Sequence, residues 1–317
     1  MARNAIEVRN CDDLFDKTYD CAILAIGYEQ RSTYIARNEK VKALRRIALG
    51  YSENRILRYP ENKQWYESHE YEVQECTDSD FKSVFKHVVF STRQVSGKNE
   101  QRLLIDISSF NRFRLATIVE LLREHETEIA ISADFAYCLA KYSEPPARTA
   151  LNRHVGPVNP YFSGWWAEPE LSSAAFVGLG YEEDKALGAL EHLQPSEIWA
   201  FFPNSPVSEY TPALHQANRS VVEMIKGRVV GYDVDQPFDL FTKLESLIAG
   251  VGTRSNCILL PFGPKIFALC ALLVACLHPD AAVWRVSGAE EAVDRVGHSV
   301  YGISAIFPPP GLLRVSG

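Results

Sequence analysis

The sequence predicts an α/β protein made of two tandem Rossmann-like units, each with an open and mainly parallel sheet. Three observations carry this prediction. CAILAIGYEQRS at 21–32 resembles AAFVGLGYEEDK at 174–185, and the stretch at 103–132 resembles the stretch at 258–287. The two matches run in the same order at nearly the same offset, which indicates an internal duplication. The length of 317 residues also suits two domains of about 150 residues each.

The duplication sets equivalences between the halves. We expect them to be related by an approximate two-fold axis, with Gly27 equivalent to Gly180 and Ile105 equivalent to Leu260. Several strand candidates are continuous apolar runs, which are typical of strands covered on both faces in a parallel sheet. The predicted strands are Cys21–Ile26, Arg46–Gly50, Tyr71–Val73, Leu103–Ile107 and Glu128–Ser132, then Ala174–Leu179, Glu197–Phe202, Val229–Val234, Cys257–Phe262 and Ala282–Val286.

Helical patterns fall between the predicted strands. They are clearest at Phe113–Arg123, Ala186–Leu193, Asp239–Ile248 and Ile266–Leu277. Strands that alternate with helices in this way favour an open α/β sheet in each half.

The predicted domain boundaries follow the local composition. Residues 1–142 form the first domain, 143–173 a linker rich in proline and aromatic residues, and 174–317 the second domain. Clustered prolines and glycines are typical of loops. The linker also holds Tyr161, Phe162, Trp165 and Trp166, so we expect it to pack across the junction of the halves. We interpret Phe307–Gly317 as a tail or an edge extension.

Composition excludes several classes of protein. The formal net charge of −7 argues against a broad nucleic-acid surface, which needs a basic face. The N-terminus lacks the apolar segment of a signal peptide, and the apolar run Ile266–Leu277 is too short to cross a bilayer. The seven cysteines include no CxxC pair and lie mostly within apolar runs, which indicates buried thiols in a cytoplasmic protein without membrane contact.

The loops after the strands are the candidate sites, because ligands of open α/β sheets bind beyond the carboxyl ends of the strands. The first such loop is Gly27-Tyr28-Glu29-Gln30-Arg31-Ser32. Glycine permits a sharp turn, Arg31 suits a bidentate phosphate contact, and Ser32 suits a cap of the next helix. The alternative is an ordinary β–α turn with an exposed arginine.

The second candidate loop follows the strand at 103–107. Asp106 lies within an apolar run, where a carboxylate is costly unless it is paired. We expect its partners to be Arg112 or the hydroxyl and N–H groups of Ser108 and Ser109, with Asn111 and Arg112 on the first helical turn. These residues are ligand candidates, and the alternative is helix capping plus one structural ion pair.

Two loops of the second half correspond to these. Gly180, Tyr181 and Glu182 repeat the Gly-Tyr-Glu turn, and Pro261 stands where we expect the counterpart of Asp106. Gly263 and Lys265 follow, and Lys265 can reach a phosphate. Their alternatives are an acidic first helical turn, which the helix dipole favours, and a tight turn.

Other chemistry has little support. The eight histidines show no HxH, HxxxH or HExxH spacing, so we expect no metal site. No GxSxG elbow occurs, and no GxGxxG follows the first strand, which argues against an acyl-transfer nucleophile and against a dinucleotide enzyme. We expect no cofactor and no catalytic residue of these types.

Ile105–Arg112 is an acid-tipped strand followed by small and hydroxyl residues and a basic residue. It resembles the fourth-strand motif of CARF domains, the CRISPR-associated Rossmann-fold ligand sensors. The sequence Gly263-Pro264-Lys265 looks like the same motif in the second half. CARF domains pair about a two-fold axis and bind cyclic oligonucleotides across it, and a fused pair resembles the SAVED sensors of anti-phage defence.

The resemblance implies which residues face the ligand. They are Ser108, Ser109, Asn111 and Arg112 with Gly263 and Lys265, joined by the Gly27 and Gly180 loops. The first half departs from the family because it lacks the usual Gly-Gly or Gly-Thr turn. No effector domain is evident, so the resemblance implies that the output lies in a separate protein chain.

The function predicted from the sequence is that of a non-catalytic sensor. It would bind a nucleotide-type or other phosphorylated ligand between its halves and signal to a partner effector. One alternative is an enzyme acting on a nucleotide or nucleic acid, with Asp106 or Glu29 as acid or base. The other is a scaffold subunit whose degenerate Rossmann folds serve assembly.

Overall fold

The computed structural model describes residues 5–90, 99–144, 154–164, 170–182, 185–225, 227–288 and 292–311. The chain forms two compact units, of which the first comprises Met1–Ala140 with Val293–Gly317 and the second Lys141–Ala292. Trp165, Trp166 and the prolines at 145, 146 and 169 of the predicted linker lie outside the described residues.

The first unit contains one sheet flanked by helices. Its strands are β1 (Glu7–Asn10), β2 (Thr18–Ala25), β3 (Lys42–Tyr51), β4 (Glu72–Cys76), β5 (Glu100–Asp106), β6 (Ala130–Ala140) and β13 (Gly297–Phe307). Its helices are α1 (Tyr34–Asn38), α2 (Tyr59–Ser68), α3 (Phe81–Phe90) and α4 (Arg112–Arg123), and a 3-10 turn at Gln30–Thr33 precedes α1.

The second unit is built in the same way. Its strands are β7 (His154–Pro157), β8 (Ser173–Gly178), β9 (Glu197–Asn204), β10 (Val229–Asp233), β11 (Asn256–Pro261) and β12 (Ala282–Ser287). Its helices are α5 (Lys185–Leu193), α6 (Tyr210–Ala217), α7 (Arg219–Met224), α8 (Pro237–Val251) and α9 (Lys265–Leu277), and a 3-10 turn spans Pro160–Phe162.

The two sheets share one strand order. The first runs β1-β13-β6-β5-β2-β3-β4 and the second β10-β9-β8-β11-β12-β7. Five strands of each are parallel, in the order β4-β3-β2-β5-β6 and β10-β9-β8-β11-β12. This is the Rossmann order 3-2-1-4-5 in both units. The predicted duplicated α/β fold, its ten strands and its four clearest helices are therefore confirmed.

The predicted equivalences hold at one position and are one residue out at the other. Ala25 pairs with Leu49, and Gly178 pairs with Phe201. Since Ala25 lies two residues before Gly27 and Gly178 lies two residues before Gly180, the two loop glycines are equivalent. Ile23 pairs with Ile105, however, and its counterpart Phe176 pairs with Leu259. Leu259 therefore corresponds to Ile105, and the counterpart of Asp106 is Leu260 rather than Pro261.

An antiparallel strand extends each parallel set at the same place, and these two strands are exchanged along the chain. β13 pairs with β6 and β7 pairs with β12. In the sequence, however, β7 follows β6 and β13 follows β12. Each repeat therefore supplies the antiparallel strand of the other repeat's sheet.

This exchange changes two predicted boundaries. Gly297–Phe307, assigned to the second domain, lies in the first sheet between β1 and β6. The predicted linker contains β7, which lies in the second sheet. Composition does not show which sheet either segment belongs to, because each segment pairs with a strand of the other repeat.

Burial explains why the central elements form. Strands β2 and β8 are buried almost throughout, which is typical of strands with helices on both faces. Helix α9 is buried over Ile266–Cys276, so it is apolar on all sides. Within the described residues, no helix is both long enough and apolar enough to span a membrane.

Candidate functional site

The predicted loops meet in pairs at the switch point of each sheet, where the strand order reverses direction. In the first unit β2 and β5 are neighbours there, and in the second unit β8 and β11 are neighbours. Ligands of open α/β sheets bind in the crevice beyond the carboxyl ends of such strands. We call the two places the first and second switch points.

At the first switch point, Gly27 packs against Ser109. A Cβ atom on Gly27 would lie 2.7 Å from the Ser109 Cβ atom, so only glycine permits this approach. Ser32 closes the turn, since its hydroxyl accepts the Gly27 N–H at 2.8 Å and donates to the Ala25 carbonyl at 2.8 Å. The prediction that Ser32 caps the next helix is therefore wrong.

Arg31 is a buried member of an ion network. Its side chain is 7% exposed and pairs with Glu29, and Nη1 donates to the Cys138 carbonyl at 3.0 Å. Glu29 also accepts from Arg295 Nη1 at 2.8 Å. Burial disfavours the charged guanidinium, but the Glu29 carboxylate outweighs burial and raises the pKa of Arg31. The network ties the Gly27 loop to β6 and to the segment before β13.

Asp106 is fully buried and accepts hydrogen bonds from the neighbouring loop. Its Oδ1 accepts the Ser108 N–H at 2.8 Å and the Ser108 hydroxyl. The Ser108 oxygen in turn accepts the Cys138 N–H at 2.8 Å. These contacts are the ones expected of a structural carboxylate, and they join the end of β5 to β6.

The start of α4 is capped by its own chain. The Asn111 side chain accepts the Arg114 N–H at 2.8 Å and donates to Asp78 at 2.9 Å. Arg112 is the first residue of α4 and is half-buried, as are Tyr28, Ser109 and Asn111. These four residues are the partly exposed members of the predicted set in the first unit.

Sequence reasoning missed Arg114, the largest fully buried side chain among the residues that the structure describes. Its guanidinium donates to the carbonyls of Gly50 and Cys76 at 2.8 and 2.7 Å and to Asp78 at 2.7 Å. It also lies 3.7 Å from the centre of the Tyr51 ring. Since its partners belong to strands and loops that are distant in the sequence, a single sequence does not show that Arg114 is buried. We assign Arg114 to the frame that ties α4 to the ends of β3 and β4.

At the second switch point, two glycines pack back to back. A Cβ atom on Gly180 would lie 2.9 Å from the Phe262 carbonyl oxygen, and one on Gly263 would collide with the Leu179 carbonyl oxygen. Both neighbours are backbone atoms that have little room to move. The predicted loops of the second unit are thus joined more closely than those of the first.

Polar groups of the second switch point have simpler partners. The Asn218 side chain donates to the Gly180 carbonyl at 2.7 Å. Buried Lys185 pairs with Glu182 at 2.5 Å. The Tyr181 ring lies 5.3 Å from Tyr210, and Gly263 and Lys265 are half-buried.

One feature recurs at both switch points. Lys265 is the first residue of α9, as Arg112 is the first residue of α4, and neither helix has an acidic residue in its first turn. A cation is unfavourable at a helix N-terminus by about 0.3–1 kcal/mol, the reverse of the preference for anions there. The same unfavourable choice occurs in both repeats.

Within the described residues, no group of three or more histidine, cysteine or acidic side chains could hold a metal ion. The seven cysteines are buried and unpaired by disulfides. Burial raises the pKa of Cys138 to about 12, so its thiol stays protonated at neutral pH.

Comparisons with known proteins give no family. No protein-family model matches the chain, and no curated protein matches it. Among solved structures, the cytoplasmic domain of a prokaryotic cation chloride cotransporter is similar at 10% identity and a TM-score of 0.23, over 87% of this chain and 98% of that chain. A T. thermophilus 16S rRNA N2 G1207 methyltransferase is similar at 7% identity and a TM-score of 0.20, over 95% and 93%. At such TM-scores these similarities carry no functional argument.

Proposed function

We propose that this protein is a non-catalytic sensor that binds a phosphorylated ligand, nucleotide-type or other, at its switch points and signals to a separate effector chain. The resemblance of Ile105–Arg112 to CARF and SAVED sensors supports a role in anti-phage defence. The observation that supports ligand binding most strongly is the basic residue at the first position of both α4 and α9.

The physical argument rests on the helix dipole. A cation at the first helical position opposes the partial positive charge of the helix N-terminus. A phosphate that contacts both the cation and the N-terminus of the helix would convert that repulsion into two attractions. Because Arg112 and Lys265 keep this position in both repeats, while the residues around them differ, we assign them to ligand contact.

The remaining predicted residues divide into two roles under this proposal. Gly27, Glu29, Arg31, Ser32, Asp106 and Ser108 are buried in hydrogen bonds or close packing and form the frame of the first site. Tyr28, Ser109 and Asn111 of the first site are half-buried, as Arg112 is. Gly180, Tyr181, Glu182 and Gly263 of the second site are half-buried, as Lys265 is. We assign the half-buried residues to the walls of the two sites.

Charge-neutral variants test the proposal. In Arg112→Gln and Lys265→Gln, we expect the ligand-free protein to keep its Tm or to gain up to a few degrees, because an unfavourable dipole interaction is removed. We expect binding of inorganic pyrophosphate, measured by calorimetry, to weaken at least tenfold, because one charge-assisted contact contributes about 1.5–3 kcal/mol.

Lys243→Gln is the matched control. Lys243 lies on α8 and forms an exposed ion pair with Asp239. Its replacement should change neither Tm nor pyrophosphate affinity. A fall in Tm with unchanged affinity in the Arg112 and Lys265 variants would show that these cations are structural and would overturn the proposal.

A further inference from the structure

A further basic site lies in the first unit, near the amino ends of the parallel strands. A cavity of about 660 Å³ is lined by residues that include Arg37, Arg46, Trp65, His69 and Tyr71. Arg37 is in the last turn of α1, and His69 follows α2. Tyr71 directly precedes β4, so the cavity opens near the amino ends of the strands. The switch points lie at the carboxyl ends, which makes this cavity a separate site.

Aromatic rings restrain both arginines of the cavity. The Arg37 guanidinium lies 4.8 Å from the centre of the Trp65 ring, and the Arg46 guanidinium lies 5.3 Å from the centre of the Tyr71 ring. Cation–π contact holds a guanidinium flat and reduces the rotamer freedom that binding would otherwise remove. Two arginines are thus preorganised at one opening.

The cavity has a net positive charge when its facing groups are combined. Arg37 donates to the Thr33 hydroxyl at 2.8 Å, which is a neutral partner. Arg46 pairs with Glu70 at 3.2 Å, and the Glu70 side chain is 89% exposed. An exposed ion pair of this kind contributes little and is easily exchanged for a better anion. Glu70 is the acidic residue among the lining residues, against two guanidinium groups.

The floor of the cavity provides aromatic surface. Trp65 is half-buried and stacks on the His69 ring at 4.1 Å, and Tyr71 is buried. Such a floor suits a ligand with a flat apolar body, while planar guanidinium groups recognise phosphate or carboxylate through paired N–H donors. An inorganic anion would use only the second of these features.

We propose that this cavity is a binding site for a ligand that combines an oxyanion, either phosphate or carboxylate, with a flat ring. Arg37 and Arg46 hold the oxyanion, and the exposed part of Trp65 supports the ring. The site is independent of the switch points and remains when Arg112 and Lys265 are replaced.

The test uses the full-length Arg112→Gln/Lys265→Gln protein, so that the switch points contribute little. Calorimetry with adenosine 5′-monophosphate, benzoate, adenosine and inorganic phosphate separates the phosphate, the carboxylate and the ring. We expect at least one of the two ring-bearing anions to bind at least tenfold more tightly than both adenosine and inorganic phosphate. Arg37→Gln or Arg46→Gln should reduce that affinity at least fivefold.

Two further variants complete the test. Arg102→Gln removes an exposed arginine that pairs with Glu100 at 2.7 Å in the same unit, and it should leave the affinity unchanged. In Trp65→Phe, the fluorescence change on binding should be lost while calorimetric binding persists. Absence of binding by both ring-bearing anions at millimolar concentration, or equal loss in Arg102→Gln, overturns the proposal.

Discussion

The two switch points have the same strand order and differ in the contacts that stabilise their loops. In the first, a buried carboxylate, a buried ion network and a capped helix hold the loops together. In the second, Leu260 replaces the carboxylate, and two glycines bring the loops into direct backbone contact. The same strand order is therefore stabilised by a buried ion network and side-chain packing in one repeat, and by backbone contact with simpler polar pairs in the other.

This comparison separates frame from site. Asp106 of the first repeat has the apolar counterpart Leu260 in the second repeat, so the fold does not require a carboxylate at that position. The basic residue at the first helical position occurs in both repeats, although its surroundings have changed. A feature that persists while its context changes is the better candidate for a shared role.

The largest expected effect concerns the exchanged strands. A chain ending at residue 292 lacks β13, which pairs with β6 over most of its length and also with β1. We expect the first unit to lose cooperative folding, while the second unit keeps all six of its strands. Hydrogen exchange measured by mass spectrometry should show loss of protection in β5 and β6 but not in β8 and β11.

A chain ending at residue 311 is the control, because it keeps β13 complete. It should match the full-length protein. Equal protection of β6 with and without β13 would contradict this prediction. It would mean that the first unit folds without the strand that the second repeat supplies.

The buried ion network gives the next largest effect. Arg31→Met leaves Glu29 buried with Arg295 as its remaining cation, and breaking a buried pair costs about 3–5 kcal/mol. The matched variant in the second unit is Lys185→Met, whose partner Glu182 is 29% exposed. A carboxylate that reaches water tolerates the loss, so we expect a decrease of about 1 kcal/mol in that variant.

Urea titration of both variants measures the free energy of unfolding. Similar decreases for Arg31→Met and Lys185→Met would show that the two switch points are stabilised in the same way.

Replacing the loop glycines should reduce stability by a smaller amount, and the two units should differ in whether a second substitution recovers it. Gly27→Ala meets the Ser109 side chain and Gly263→Ala meets the backbone of Leu179, and overpacking of either kind costs about 1–3 kcal/mol. Adding Ser109→Gly removes the side chain in the first case, and we expect it to recover part of the lost stability. The second case has no side chain to remove.

Thermal unfolding of Gly27→Ala, Gly27→Ala/Ser109→Gly and Gly263→Ala checks this difference. If the double variant is less stable than Gly27→Ala alone, side-chain crowding is not the reason for glycine at 27.

The sequence predicted much of this architecture and little of its long-range pairing. Apolar runs located ten strands, because strands buried on both faces need apolar residues at most positions. β1, β7 and β13 were missed as sheet members. β7 and β13 each pair with a strand of the other repeat, and no local pattern records that exchange. The β-branched and aromatic residues of 297–307 were a usable signal for a strand, though not for its sheet.

The candidate site shows the same limit. Glycine and the basic residues at helix starts were recognisable in the sequence, because local geometry dictates them. The burial of Arg31 and Arg114 depends on carbonyl groups from distant strands, such as those of Cys138 and Gly50, and a single sequence does not display these partners.

Native mass spectrometry of the protein purified from its host tests the central claim most directly. The wild-type protein should retain a non-covalent adduct whose mass corresponds to a phosphorylated compound. The Arg112→Gln/Lys265→Gln protein should lose that adduct, and Lys243→Gln should keep it. An adduct that persists unchanged in the double variant would contradict the account. A wild-type protein that carries no adduct would contradict it as well.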